Sequence, residues 1–170
     1  MSQLDTNWSY LNEGDLTPIG FSFAGISAGL KNSKKKDLAL ILAPEGSICS
    51  GLFTQSIVRA SCIDICQERI RKTSGQIRAV LINSGQANAC TGNYGVQHSL
   101  IATARIAELL GIKEEEVLMC STGVIGVPIE INDLLNNLPN LVSDLKLNNI
   151  RNAAEAILTT DLVLKKIAIE

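Results

Sequence analysis

Ile77-Arg78-Ala79-Val80-Leu81-Ile82 runs straight into Asn83-Ser84-Gly85-Gln86-Ala87-Asn88-Ala89-Cys90-Thr91-Gly92. The first six residues are almost wholly apolar, the pattern of a short strand buried on both faces. The next ten are polar and carry two glycines, so they read as a loop. From about Asn93 to Leu110, Val96, Leu100, Ala104, Ala107 and Leu110 recur at helical spacing, and Gly111 stands where a helix stops. A buried strand, a loop and an amphipathic helix in that order are a unit of an α/β or α+β fold.

The same punctuation continues in both directions. Upstream, Gly20 to Leu30 is apolar and interrupted by glycine, and Asp37 to Ala43 is a second buried strand stopped by Pro44. Pro44-Glu45-Gly46 reads as a turn, Ser47 to Thr54 as the returning strand, and Arg59 to Lys72 as a helix with Cys62, Ile63, Cys66 and Ile70 on one face. Downstream, Glu116 to Cys120 is a further strand, leading into Ser121-Thr122-Gly123-Val124-Ile125-Gly126. A helix over about Ile131 to Leu145, broken near Pro139, precedes another over about Asn148 to Thr159, and Val163 to Glu170 alternates like a strand. With 4 prolines and no linker rich in Pro, Gly and Ser, residues 1–170 read as a single domain.

Composition narrows the function. Hydrophobic residues are 46% of the chain, aromatics 4% and charged residues 19%. The core is therefore aliphatic, and the charge content, below the usual figure of about 25%, points to a surface partly given over to another chain. A net charge of −2 offers no field for nucleic acid or anionic lipid. The one basic run, Lys31 with Lys34, Lys35 and Lys36, reads as a solvated loop. No apolar stretch is long enough to span a bilayer, and Met1-Ser2-Gln3-Leu4-Asp5 has neither the basic nor the apolar part of a signal peptide. A cytoplasmic chain, binding neither membrane nor nucleic acid, is expected. The 5 cysteines are an odd set for a disulfide framework, and 1 histidine, His98, is too few for a zinc site, so no metal is expected and the thiols read as small hydrophobes.

Two segments could carry chemistry, each following a strand, where sites tend to lie. Asn83 to Gly92 lacks the Gly-Lys-Ser/Thr ending of a P-loop. It reads either as a ligand loop or as a connection stitched by its own side chains. In Ser121-Thr122-Gly123 a hydroxyl stands beside a glycine, so an O–H and a bare backbone N–H can converge on a developing oxyanion. No nucleophile with an adjacent base is evident, and there is no Gly-x-Ser-x-Gly elbow.

Taken together and in order, these blocks resemble a known family. They are Ala24 to Leu30 with Lys35 to Leu40, Gly51-Leu52-Phe53-Thr54, Asn83 to Gly92, Ser121 to Gly126, and Thr159-Thr160-Asp161. The chain resembles the N-terminal α chain of the ornithine acetyltransferase family, the bifunctional glutamate N-acetyltransferase of arginine biosynthesis, from about Thr17 to Asp161. The resemblance implies a layered α/β/β/α sandwich and a precursor that cleaves itself at an Ala–Thr bond. That bond, and a Lys-Gly segment, are expected downstream of Thr159-Thr160-Asp161, past Glu170. The new N-terminal threonine of the β chain is the implied nucleophile, activated by its own amine. It takes acetyl from N-acetylornithine and passes it to glutamate, and some members also accept acetyl-coenzyme A as donor. No cofactor or metal is implied, and the implied assembly is an α2β2 heterotetramer.

Residue by residue, the resemblance puts the oxyanion hole on Thr122, through its hydroxyl, and Gly123, through its N–H. It puts a substrate contact on Thr159 or Thr160. Two other readings stand beside it: an aminopeptidase or amidase of the same fold, in which water is the acceptor, and a non-catalytic ligand-binding subunit.

Overall fold

The computed structural model describes residues 17–168. The N-terminal pentapeptide read above for targeting lies outside them, as do residues 169–170. Among the described residues four strands form one mixed sheet in the order β1-β2-β3-β4. They are β1 (Ser22–Ile26), β2 (Leu38–Leu42), β3 (Ala79–Gln86) and β4 (Val117–Val124). The first two pairings are antiparallel and β3 pairs β4 in parallel. Between β3 and β4 the chain crosses through α2 (Gly92–Leu110), as parallel neighbours require. The other helices are α1 (Ser61–Lys72), α3 (Ile131–Ser143) and α4 (Ile150–Ala156). The expected mixed α/β class is the one found, with one sheet and helices on both of its faces.

Strand alternation sorts the core. Ala24, Leu38, Leu40, Ala79, Leu81, Val117 and Met119 face α2 and α3, meeting Ala102, Ile106, Leu134, Leu138 and Leu141. On the opposite face Phe23 and Ala39 meet Ala153 and Ala156 of α4. Both buried-strand readings hold, since Leu38, Ala39, Leu40 and Leu81 are all 0% exposed.

Several expectations are corrected. Ser47 to Thr54 is not a returning strand: it makes a single bridge, Ile48 to Gln76. β2 already has β1 on one side and β3 on the other, so no edge is left for it. α3 runs unbroken through Pro139. The N–H that proline lacks would have served the Leu135 carbonyl, and Pro139 is exposed, so water reaches that side of the helix. α4 is shorter than expected: its last turn tightens, the Leu158 N–H bonding to the Glu155 carbonyl, and the Ala156 and Leu158 carbonyls accept from Ser84 and Lys31. Val163 to 168 is not a strand, and Val163 and Ile167 are exposed.

The face of α2 is only partly the expected one. Ala107 is buried and Leu110 packs against the core, but Val96 and Leu100 are 40% and 39% exposed, and Gly95, Ser99, Ala102, Thr103 and Ile106 are buried in their place. Ser99 and Thr103 donate back to the Gly95 and Ser99 carbonyls, which removes their unsatisfied polarity and lets small side chains pack closely. Asn88 completes this seam. Its Nδ2 donates to the Gly95 carbonyl at 3.0 Å and to Ser99 Oγ at 2.9 Å, and its Oδ1 accepts from Thr91. A methyl group on Gly95 would stand 2.6 Å from Asn88 Oδ1 and 2.7 Å from Ser61 Oγ. Gly95→Ala is therefore expected to destabilise the complete protein by about 1–3 kcal/mol. Leu81→Ala, which empties a fully buried site, is expected to cost about 2–5 kcal/mol. Urea unfolding of the two variants against the parent measures both.

Candidate functional site

The polar residues Asn83 to Gln86, expected in a loop, are the C-terminal half of β3. They pair in parallel with Ser121 to Val124 of β4: Ser84 lies opposite Thr122 and Gly85 opposite Gly123. The two segments that could carry chemistry are thus adjacent strands. Backbone pairing continues past the strands, from the Ala87 N–H to the Val124 carbonyl and from the Gly126 N–H to the Ala89 carbonyl.

The glycine pair has a steric cause. Gly85 has φ +121° and Gly123 φ +135°, both left-handed values that disfavour a side chain. A Cβ on Gly85 would stand 2.8 Å from the Leu30 carbonyl oxygen, and one on Gly123 would overlap the Gly85 carbonyl. Three pieces of backbone, at residues 30, 85 and 123, are stacked without side chains between them.

β4 is the edge of the sheet, and its outward groups decide what the site can do. The Glu116 carbonyl faces β3, where Arg78 N–H donates to it. The Val117 and Met119 carbonyls therefore face outward, and α1 covers them: Arg69 donates to Val117 and the Cys66 thiol to Met119. The Ser121 N–H faces outward by the same alternation, beside Cys62, which is one turn nearer the start of α1. By the same alternation the next outward N–H is that of Gly123, past the reach of α1. The Thr122 side chain, two residues on from Cys120, lies on the sheet face that carries Ser84 and α4.

Around this point is a cavity of about 500 Å³ lined by Lys31, Gly85, Thr122, Gly123, Val124, Thr159 and Thr160. That size suits a small-molecule ligand. All four residues named from the sequence, Thr122, Gly123, Thr159 and Thr160, line it together. A neighbouring hollow of about 600 Å³ shares Lys31, Thr159 and Thr160 and is rimmed by Lys34, Lys35, Lys36 and Asp161. Ser84 Oγ donates to the Ala156 carbonyl and Lys31 Nζ to the Leu158 carbonyl, so both tie down the segment that presents the two threonines.

Sequence reading put Lys31 in a solvated loop, and placed Gly85 only as a conformationally free glycine within the candidate segment Asn83 to Gly92. Lys31 is not a solvated lysine: its Nζ donates to the Leu158 and Lys36 carbonyls. Burial holds its ammonium below the usual lysine range; the Asp37 carboxylate opposes that shift and Lys35 adds to it. The available signal was its place between Leu30 and Asp37, both buried. Asn88 serves as scaffold, as one reading of its segment had it.

Other chemistries find no support among the described residues. No group of histidine, cysteine and acidic side chains is arranged to hold a metal ion. Burial, then the neighbouring Cys66, push the Cys62 thiol up to about 11, so it is protonated and a poor nucleophile at neutral pH. His98 does not line the cavity. No described helix is long and apolar enough to cross a membrane.

Comparison with known proteins decides the family. A profile of the ArgJ family matches residues 22–170. The chain belongs to the ArgJ family. Among curated relatives, the arginine biosynthesis bifunctional protein ArgJ of Prochlorococcus marinus subsp. pastoris is 74% identical over 160 residues, 94% of this chain and 40% of that protein. One from Nostoc is 43% identical over 96% of this chain and 40% of its own length. The chain thus spans about 40% of the length of these ArgJ relatives. Among solved structures, the ornithine acetyltransferase of Mycobacterium tuberculosis complexed with ornithine matches with a TM-score of 0.88 and 35% identity, over 95% of this chain and 88% of that one. The ArgJ protein of Bacillus halodurans matches with a TM-score of 0.85 and 35% identity, over 92% and 82%.

Gly123→Ala tests the stacked geometry of this ArgJ site. It forces a side chain to φ +135° against Gly85, and strain of that kind is expected to cost about 1–3 kcal/mol. A lowered thermal midpoint together with faster amide exchange at Gly85 to Ala87 is the expected result.

Proposed function

We propose that this chain is the α chain of a self-cleaved acetyltransferase and supplies the oxyanion-stabilising half of its active site. Residues 1–170 form one domain in this reading. The β chain from the same precursor supplies the nucleophile, and the assembly is an α2β2 heterotetramer in the cytoplasm. The observation that carries the reading is the convergence of Thr122, Gly123, Thr159 and Thr160 on one cavity at the uncovered end of the β4 edge.

Coverage supports a divided precursor. The chain matches 40% of the curated ArgJ sequence but 88% of the chain in the ornithine-bound structure. The polypeptide in that structure is thus of comparable length to this one.

The chemistry follows from the donors. The β-chain threonine hydroxyl, its proton passing to the α-amine of the same residue, attacks the acetyl carbonyl of N-acetylornithine. Negative charge gathers on the carbonyl oxygen, where the Thr122 hydroxyl and the Gly123 N–H donate to it. As the tetrahedral intermediate collapses, the C–N bond breaks, the departing amine takes the proton, and an acetyl ester remains on threonine. Glutamate then attacks this ester through its amino group, and the same two donors receive the second oxyanion; as it collapses the ester C–O bond breaks, a proton from the attacking amine passes to the threonine oxygen, and N-acetylglutamate leaves. Thr159 or Thr160 contacts the substrate. Self-cleavage passes through a comparable intermediate and uses the same donors. No bound cofactor is needed; acetyl-coenzyme A enters, if used, as a donor substrate.

Thr122→Ala in the complete precursor provides the test. Loss of one oxyanion donor is expected to lower acetyl transfer by about 10²–10³ and to slow self-cleavage, with the thermal midpoint unchanged. Unaltered transfer would remove Thr122 from the mechanism. Product analysis with and without glutamate separates the alternatives: acetate release independent of glutamate would identify an amidase, and no turnover with either would leave a ligand-binding subunit.

A further inference from the structure

Lys31 is the side chain common to both hollows apart from the two threonines. Its backbone is immobilised first. The Lys31 N–H donates to Asp37 Oδ2 at 2.9 Å, and Ala28 N–H donates to Oδ1 of the same carboxylate at 2.6 Å. Asp37 is itself fixed between strands, its N–H on the Ile26 carbonyl and its carbonyl accepting from Ser84 N–H. The Lys31 stem passes above Gly85, where a side chain would meet its Cγ at 3.5 Å. From this base the ammonium reaches across 127 positions of sequence to the Leu158 carbonyl at 2.5 Å, with the Lys36 carbonyl at 3.0 Å as its second acceptor.

What it holds has little else to hold it. α4 ends at Ala156. Beyond that point the Leu158 N–H reaches back to Glu155, and among the described residues no hydrogen bond fixes Thr159 or Thr160 themselves. Ser84, on the Ala156 carbonyl, is the one other anchor close to them from the sheet.

We infer that Lys31 is a positioning residue for acetyl transfer: by pinning Leu158 to the loop above Gly85, it sets where Thr159 and Thr160 stand relative to the Thr122–Gly123 donors. The inference rests on the acetyltransferase reading above. Its consequence is a separation of two activities. Substrate affinity depends on the threonines and hence on Lys31. Self-cleavage depends on donors carried by β4 and does not.

The experiment uses the complete precursor with Lys31→Met, Lys31→Arg and Lys31→Gln, measuring self-cleavage on gels and kcat and KM for N-acetylornithine. For Lys31→Met the expected result is a KM raised about tenfold or more, a kcat lowered no more than about threefold, and cleavage at the parental rate. Lys31→Arg, which keeps a cationic donor, is expected to restore most of the affinity. A KM within about twofold of the parent overturns the inference. So does a parallel fall of cleavage, kcat and thermal midpoint, which would make Lys31 a folding residue. Should Lys31→Met give no soluble protein, Lys31→Gln, which shortens the side chain and removes its charge, decides in its place: a raised KM with normal cleavage supports the inference, and an unchanged KM overturns it. A parent protein without acetyl transfer would instead sink the acetyltransferase reading.

Discussion

A buried carboxylate organises the functional end of this sheet. Asp37 is 0% exposed, and burying such a group is costly unless its oxygens are met. Both are met by amides of the β1–β2 connection, Ala28 and Lys31, while its backbone joins β1 to β3. The connection from Ser27 to Lys36 is polar and lysine-rich, yet it folds inward because its amides supply what Asp37 lacks. That inward fold brings the Leu30 carbonyl onto Gly85 and aims Lys31 at the end of α4.

The second constraint is the edge of β4. An exposed strand edge presents unpaired amides and carbonyls. Here α1 lies along that edge and satisfies Val117 and Met119 through Arg69 and Cys66. The cover stops where α1 begins, at Ser61. The outward amide of Gly123 is left facing a cavity. A donor whose direction is set by a strand needs no reorganisation when charge develops in front of it, which is what the proposed oxyanion role asks of Gly123. The same geometry explains why two glycines face each other across β3 and β4: a side chain at either would push the stacked backbones apart.

Much of this architecture was legible in the residues. Apolar runs at Asp37 to Ala43 and Ile77 to Ile82 read as buried strands, and Leu38, Ala39, Leu40, Ala79 and Leu81 within them are buried. The helices at Ser61–Lys72 and Gly92–Leu110 begin and end within two residues of their expected bounds. Three of the differences share one origin: polar residues that read as loop or outer face are buried in this fold by being satisfied locally. Asn83 to Gln86 continue a strand because β4 supplies a parallel partner. Ser99 and Thr103 face inward because their hydroxyls bond back along the helix. Lys31 is half-buried because two carbonyls receive its ammonium. Single-residue polarity carries none of that information.

By itself, then, the order of apolar runs and glycines determined the fold class, because periodicity and turn chemistry are encoded along the chain. The motif blocks determined the family by resemblance, and it was that resemblance, not periodicity, that singled out Thr122, Gly123, Thr159 and Thr160. Only the tertiary structure decided that these residues meet. Thr122 and Thr160 are far apart in sequence, and what joins them is a parallel strand pairing, a helix that leaves one amide uncovered, and a lysine bonded to a distant carbonyl. Each is a contact between segments whose local sequence does not refer to the other, so it exists only once the sheet has formed.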